Sequence, residues 1–213
     1  MVFEELLRLL NGEPVFETGF LLAGEQNHAY IQRQLADWVR AGKLWQLRRG
    51  LYAPAPPYQK ISPHPFLVAN RLVPGSYVSL ESALAYYELI PEHVAAVTSV
   101  TARRPGVWHT PVGSMIYRHV QPEYIFGYEQ LEVAAGQAAF VAQPEKALLD
   151  LAYLRPGGDE PSYLESLRLQ NLERIDVNRL AALATRMGKP KLWRVADVVS
   201  ELIAAEREAY QPV

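Results

Sequence analysis

A chain of 213 residues, 49% hydrophobic and 21% charged, is composed like an ordinary globular protein and is long enough for one large core or two smaller ones. A formal net charge of −2 excludes a protein coated in basic residues, and the lack of cysteine excludes disulfides and thiolate metal sites. No apolar run approaches the roughly 20 residues needed to cross a bilayer, and the acids of MVFEELLRLLNGEP are unlike a signal peptide, so a soluble, cytoplasmic protein is expected. Phe3, Leu6, Leu7 and Leu10 recur at helical spacing, which predicts a helix over 2–10 that ends at Asn11-Gly12. Val15-Phe16 reads as a short extended segment, and Thr18 as the cap of a brief helix running to Ala23 and closed by Gly24.

The next stretch, NHAYIQRQLADWVRAGKLWQLRRGLYAP (27–54), is the most informative in the chain. Asn27 suits a helix N-cap. Ile31, Leu35, Trp38 and Val39 form one apolar stripe, while Ala29, Gln32, Arg33, Ala36, Asp37 and Arg40 fall on or near the other face. Gly42 is a plausible helix stop. Residues 44–47 and 51–53 read as two strands, with Arg48, Arg49 and Gly50 at the turn. Helix, helix, helix, hairpin within residues 1–55 is the layout of a winged helix-turn-helix unit. PAPPYQKISPHP then places five prolines between Pro54 and Pro65, and residues 56–65 read as a stiff linker.

Beyond it, 65–72 and 80–89 read as helices, the second started by Ser79. Strands are expected at 97–101, 115–120, 131–135 and 138–142. Gln143-Pro144-Glu145 opens a helix through LLDLAYL, with proline where its missing N–H costs little. Helices at 162–172, 177–187 and 192–208 follow, bounded by Asp176, Gly188 and Pro190. The expected fold is thus α+β. An N-terminal winged helix-turn-helix (1–55) precedes an α+β domain (66–213) with a small, mostly antiparallel sheet and a helical C-terminal part.

Charge is spread unevenly. Residues 28–60 carry six basic groups against one acid, a balance of +5, and residues 121–170 carry eight acids against three bases, a balance of −5. A basic module joined to an acidic one suits a DNA-binding unit attached to something that does not bind DNA. His28, Gln32 and Arg33, in the first turns of the third helix, are the candidates for base-edge contact. Lys43, Arg48 and Arg49 are placed to hold phosphate, the two arginines at a wing tip. Arg40 reads as a phosphate contact or as merely solvated, and Asp37 as a helical partner of Arg33 or Arg40. Arg103, Arg104 and Arg118, with His119, form a second basic group that could extend the DNA surface, meet another polyanion, or stay solvated.

Catalysis finds little support. His28, His64, His93, His109 and His119 show no metal-ligand spacing, and no metal or cofactor is expected. No glycine-flanked nucleophile elbow, Walker sequence or GxGxxG occurs. Glu145, Lys146 and Asp150 read as a surface charge pattern around Ala147, Leu148, Leu149 and Leu151. Glu81 with His119 is an acid–base pair that sequence alone cannot bring together. The tyrosines of Tyr86-Tyr87 and around Tyr124-x-Phe126-x-Tyr128 read as core edges with a polar tip.

Four blocks, LRRGLYAP (47–54), SYVSLESALAYYELIPE (76–92), VTSVTARRP (97–105) and QPEKALLDLAYL (143–154), resemble the AbiEi-type antitoxins of bacterial type IV toxin–antitoxin systems and their transcriptional-regulator relatives. The resemblance covers most of residues 1–155. It implies a winged helix that binds operator DNA and represses its own operon, and a second domain that opposes a nucleotidyltransferase-like toxin without a stable complex. It implies no catalytic machinery. Where the family usually shows a glycine near the LIPE segment, this chain has Glu88, and the tail past Pro156 lies outside the resemblance. The expected partner is double-stranded operator DNA, bound at inverted repeats, with a dimer formed on the DNA. Stand-alone regulation and a protein-adaptor role without antitoxin activity are the alternatives; an enzyme acting on nucleotides or RNA is a third.

Overall fold

The computed structural model describes residues 1–22 and 28–209. Its N-terminal part contains α1 (Phe3–Leu10), β1 (Phe16–Glu17), α2 (Thr18–Leu22), α3 (His28–Arg40), β2 (Leu44–Arg48) and β3 (Leu51–Pro54). The expected cap Asn27 and helix end at Ala23-Gly24 lie outside the described residues. Asn11 closes α1 in the left-handed conformation at φ 47°, and Gly42 follows α3 at φ 69°. The strands form an antiparallel sheet in the order β1-β3-β2, with Phe16 opposite Tyr52 and Trp45 opposite Ala53. Phe3, Leu6 and Leu10 of α1 meet Ile31 and Leu35 of α3, together with Phe16, Leu21, Leu44 and Tyr52, in a small core.

Both faces of the sheet contribute to a core. Alternate residues of a strand point to opposite sides, and β3 sends Tyr52 into the small core while Leu51 and Ala53 enter the main core of the molecule. Val15 and Leu47 join that main core too. The proline-rich segment is seated at both ends. Tyr58 packs edge-on against Phe3, centroids 5.0 Å apart. The His64 N–H donates to Gln137 Oε1 at 2.7 Å, and Gln137 Nε2 donates to the Ser62 carbonyl at 3.0 Å.

The remainder contains α4 (Pro65–Leu72), β4 (Tyr77–Val78), α5 (Leu80–Tyr86), β5 (Ala96–Thr101), β6 (Gly106–Thr110), β7 (Gly113–His119), β8 (Tyr128–Ala134), β9 (Gln137–Ala142), α6 (Pro144–Leu154), α7 (Pro161–Ser166), α8 (Val177–Met187) and α9 (Pro190–Ala209). Its sheet runs β6-β7-β5-β4-β9-β8 and is mixed: β4 with β5, β6 with β7 and β8 with β9 pair antiparallel, the mostly antiparallel pattern expected, while β5 pairs parallel with β7 and β4 parallel with β9. Two strands were not expected. β4 is too short to show a pattern, and β6 is an exposed edge whose residues do not alternate in burial. β6 carries the chain back along the sheet edge, so β7 re-enters in the direction of β5.

Helices depart from expectation where the backbone turns left-handed. α5 stops at Tyr86 instead of Leu89, and Glu88 has φ 57°. That is the region glycine tolerates best. Here the Glu88 carboxylate meets Arg174 at 2.6 Å, and its carbonyl accepts from Asn171 Nδ2 at 2.8 Å. The helix expected over 162–172 ends at Ser166, because Arg168 and Asn171 are also left-handed. By contrast α8 matches its expected bounds, with Asp176 accepting from the Asn178 and Arg179 N–H groups and Gly188 at φ 64°.

Glu145, Lys146 and Asp150 are fully buried, not a surface pattern, because every residue from Pro144 to Ala152 is buried. Asp150 pairs with Lys146 one turn away and accepts from the hydroxyls of Tyr77 (2.8 Å) and Ser79 (2.9 Å). Lys146 Nζ also donates to the Tyr77 oxygen at 2.9 Å and lies 5.1 Å from the centroid of Phe126. Burial pushes the Lys146 ammonium down and the Asp150 carboxyl up; burial and the Asp150 charge both push the Tyr77 phenol up. Ser79 precedes α5 as expected, yet its hydroxyl serves Asp150 and makes no cap bond. Glu145 accepts from the Asp176 N–H at 2.7 Å, tying α6 to the start of α8. Such groups survive burial only when paired and hydrogen-bonded.

Candidate nucleic-acid interface

α3 forms where the apolar stripe requires it. Ile31 and Leu35 are buried, Trp38 and Val39 half-buried against the small core, and Ala29, Gln32, Arg33, Ala36, Asp37 and Arg40 are all exposed. His28 is exposed at the helix start. Arg33 has no partner among the described residues. Asp37 pairs with Arg40 at 3.2 Å, across a contact both side chains make largely in solvent, where such pairs are weak. The outer face of α3 therefore offers two alanines, an amide, the Arg33 guanidinium and an imidazole, beside the Asp37–Arg40 pair.

The hairpin is held tightly. The Gly50 carbonyl accepts from the Thr18 N–H at 2.9 Å, so the turn is bonded to the start of α2. Arg49 is exposed, with no side-chain partner among the described residues. Arg48 differs from the expected tip residue. Its guanidinium turns back to the Arg71 carbonyl at the end of α4 (3.3 Å), to Glu17 (3.4 Å) and to the Arg49 carbonyl (3.1 Å), leaving its side chain 25% exposed. The cause is topological: β1 beside β3 brings Glu17 to the tip, and α4 presents an unpaired C-terminal carbonyl. Glu17 and the Arg71 carbonyl lie 31 and 23 residues away, beyond the reach of local pattern reading. Lys43 is half-buried, its ammonium 4.9 Å from the Phe3 ring centroid and 5.9 Å from that of Tyr58, a cation–π setting that holds the charge at the base of the hairpin.

The second basic group gathers at one edge of the large sheet. Arg103 and Arg104 lie between β5 and β6, and Arg118 and His119 end β7; all are exposed. His119 Nδ1 sits 3.0 Å from the Arg103 carbonyl. Exposed Val107 and Trp108 lie on β6 beside them. Glu81 and His119 line one groove, of about 940 Å³, beside the sheet. Among the described residues no group of three or more His, Asp or Glu is placed to hold a metal ion, and no helix is long and apolar enough to cross a membrane. His64 instead caps α4, its Nδ1 accepting from the Phe66 N–H at 3.2 Å.

No family model matches the chain, and no curated protein does. Among solved structures the chain is similar to the RV2827C protein from Mycobacterium tuberculosis, with 17% identity over 92% of this chain and 75% of that one and a TM-score of 0.53. At that identity the likeness is one of fold: both chains share a mixed α+β architecture.

Proposed function

We propose that this protein is a DNA-binding transcriptional repressor whose N-terminal part is a winged helix-turn-helix. The observation that carries the reading is the solvent face of α3, followed at once by the β2–β3 hairpin. Small Ala29 and Ala36 permit close approach to a major groove, and Gln32 and Arg33 can reach base edges. A bidentate arginine–guanine pair is worth about 1–3 kcal/mol of discrimination. Lys43 and Arg49 hold phosphate and fix register, and Arg40 is released to phosphate at the cost of a weak pair with Asp37. Arg48 acts differently: bonded to Glu17 and the Arg71 carbonyl, it fixes the wing against the rest of the molecule. The +5 stretch over residues 28–60 supplies the attraction to a polyanion.

The antitoxin role rests on the resemblance. Its blocks meet in the fold: 76–92 contributes Tyr77 and Ser79, and 143–154 contributes Lys146 and Asp150, to one buried cluster. In this reading the second part opposes a nucleotidyltransferase-like toxin and no chemistry occurs in it. Mobility shifts against the DNA upstream of the gene, with a scrambled duplex as control, test the repressor reading; equal binding to both would favour a protein-adaptor role. Co-expression with a neighbouring toxin tests the antitoxin reading, with restored growth expected and unrelieved arrest contradicting it.

A further inference from the structure

The groove of about 940 Å³ lies between the sheet and the end of α6, with α7 along its side. Ile116 and Arg118 come from one side of β7, while Tyr117, pointing the other way, donates to the Ala69 carbonyl of α4 at 2.7 Å. The groove therefore sits on the face of the sheet opposite α4. Buried Leu80, Ile90 and Leu151 and half-buried Leu154 and Leu167 give it an apolar lining. Its size is that of a site for one small molecule.

Two cations look into this lining. Arg118 and Arg155 are both exposed at its mouth, and the Arg155 guanidinium lies 4.2 Å from the ring centroid of Tyr163. Of the two acids lining the groove, Glu92 is neutralised by Arg168 at 2.6 Å, leaving Glu81 against two arginines. His93 and His119 also line the groove and offer ring nitrogens for hydrogen bonds. An apolar trough with an excess of planar cations matches one chemistry, an apolar body carrying a carboxylate or phosphate.

We propose that this groove binds a small organic anion, its body against Leu80, Leu151 and Leu154 and its charge between Arg118 and Arg155. The proposal does not rest on the DNA-binding reading.

The test uses the full-length protein and the fluorescent apolar anion 1-anilinonaphthalene-8-sulfonate. Saturable binding of one probe per chain is expected, displaced by octanoate at concentrations at least about tenfold lower than by 1-octanol, since charge-assisted hydrogen bonds contribute at this scale. Arg155→Gln should abolish that preference, and Arg118→Gln should reduce it, with the thermal midpoint of both held at the wild-type value. Non-saturable binding would overturn the proposal. So would equal displacement by octanoate and 1-octanol, the mark of a neutral groove suited to a polypeptide face, or wild-type preference in both variants.

Discussion

Removing one member of the Lys146–Asp150 pair should unfold much of the stability of this protein, with a pH dependence whose sign depends on which member is removed. In Asp150→Asn the ammonium is left fully buried without a counter-ion and must lose its proton in the folded state. Its value in the unfolded chain stays at the ordinary 10.5. Discharging it at pH 7 costs about 5 kcal/mol, at 1.36 kcal/mol per pH unit below that value, and the cost falls to about 2 kcal/mol at pH 9. In Lys146→Met the carboxyl must instead take up a proton, against an unfolded value of 3.8. That costs about 4 kcal/mol at pH 7 and about 2 kcal/mol at pH 5. Asp150→Asn, with its folded lysine lowered, gains stability as pH rises toward 10.5, whereas Lys146→Met, with its folded carboxyl raised, gains stability as pH falls. The double variant removes both charges, and its amide can still meet the Tyr77 and Ser79 hydroxyls, so it should lie within about 2 kcal/mol of wild type. Urea unfolding followed by tryptophan fluorescence at pH 5, 7 and 9 measures all three. Single variants within 1 kcal/mol of wild type at pH 7, or pH slopes of the same sign in both, would refute the buried ion pair.

His64 holds the start of α4 through an unprotonated ring nitrogen, and burial keeps its value below the ordinary 6.5. Stability should therefore be complete above pH 6.5 and fall on acidification through the lowered value; His64→Asn, itself a good cap, should flatten that window, and an unchanged slope would contradict the capping role. His64→Ala should cost about 1 kcal/mol at pH 7 by thermal unfolding. Arg48→Ala should cost about 1 kcal/mol of stability, discounted for its partial exposure, and should loosen the β2–β3 hairpin, visible as faster hydrogen exchange at Thr18 and Leu51. Arg49→Ala should leave stability within about 0.5 kcal/mol while lowering the salt slope of DNA binding by about 0.9. Equal stability losses in the two arginine variants would contradict the division of roles.

Local physics made much of this legible. The stripe of Ile31, Leu35, Trp38 and Val39 and the Gly42 stop describe α3, and Asp176 and Gly188 bracket α8, because caps and periodicity act within a few residues. Long-range partners were invisible. Nothing near Arg48 points to the Arg71 carbonyl, and nothing near Asp150 points to Tyr77 and Ser79, about seventy residues away. A signal did exist for α6: Pro144, Ala147, Leu148, Leu149, Leu151 and Ala152 leave no polar side for three charges to occupy. A helix apolar all round is a buried helix, and its charges must find partners inside. β6 carried no signal, since an exposed edge strand has no burial pattern to read.

The proposed activity is sequence-specific DNA binding through α3. Its most direct test is a mobility-shift titration of the full chain against its own upstream DNA and a scrambled duplex at two salt concentrations, with Arg33→Ala alongside wild type. Tight, salt-sensitive binding to the upstream duplex is expected, with loss of that preference in Arg33→Ala and affinity for scrambled DNA retained. Equal affinity of the wild type for both duplexes, or equal loss on both in the variant, would contradict it.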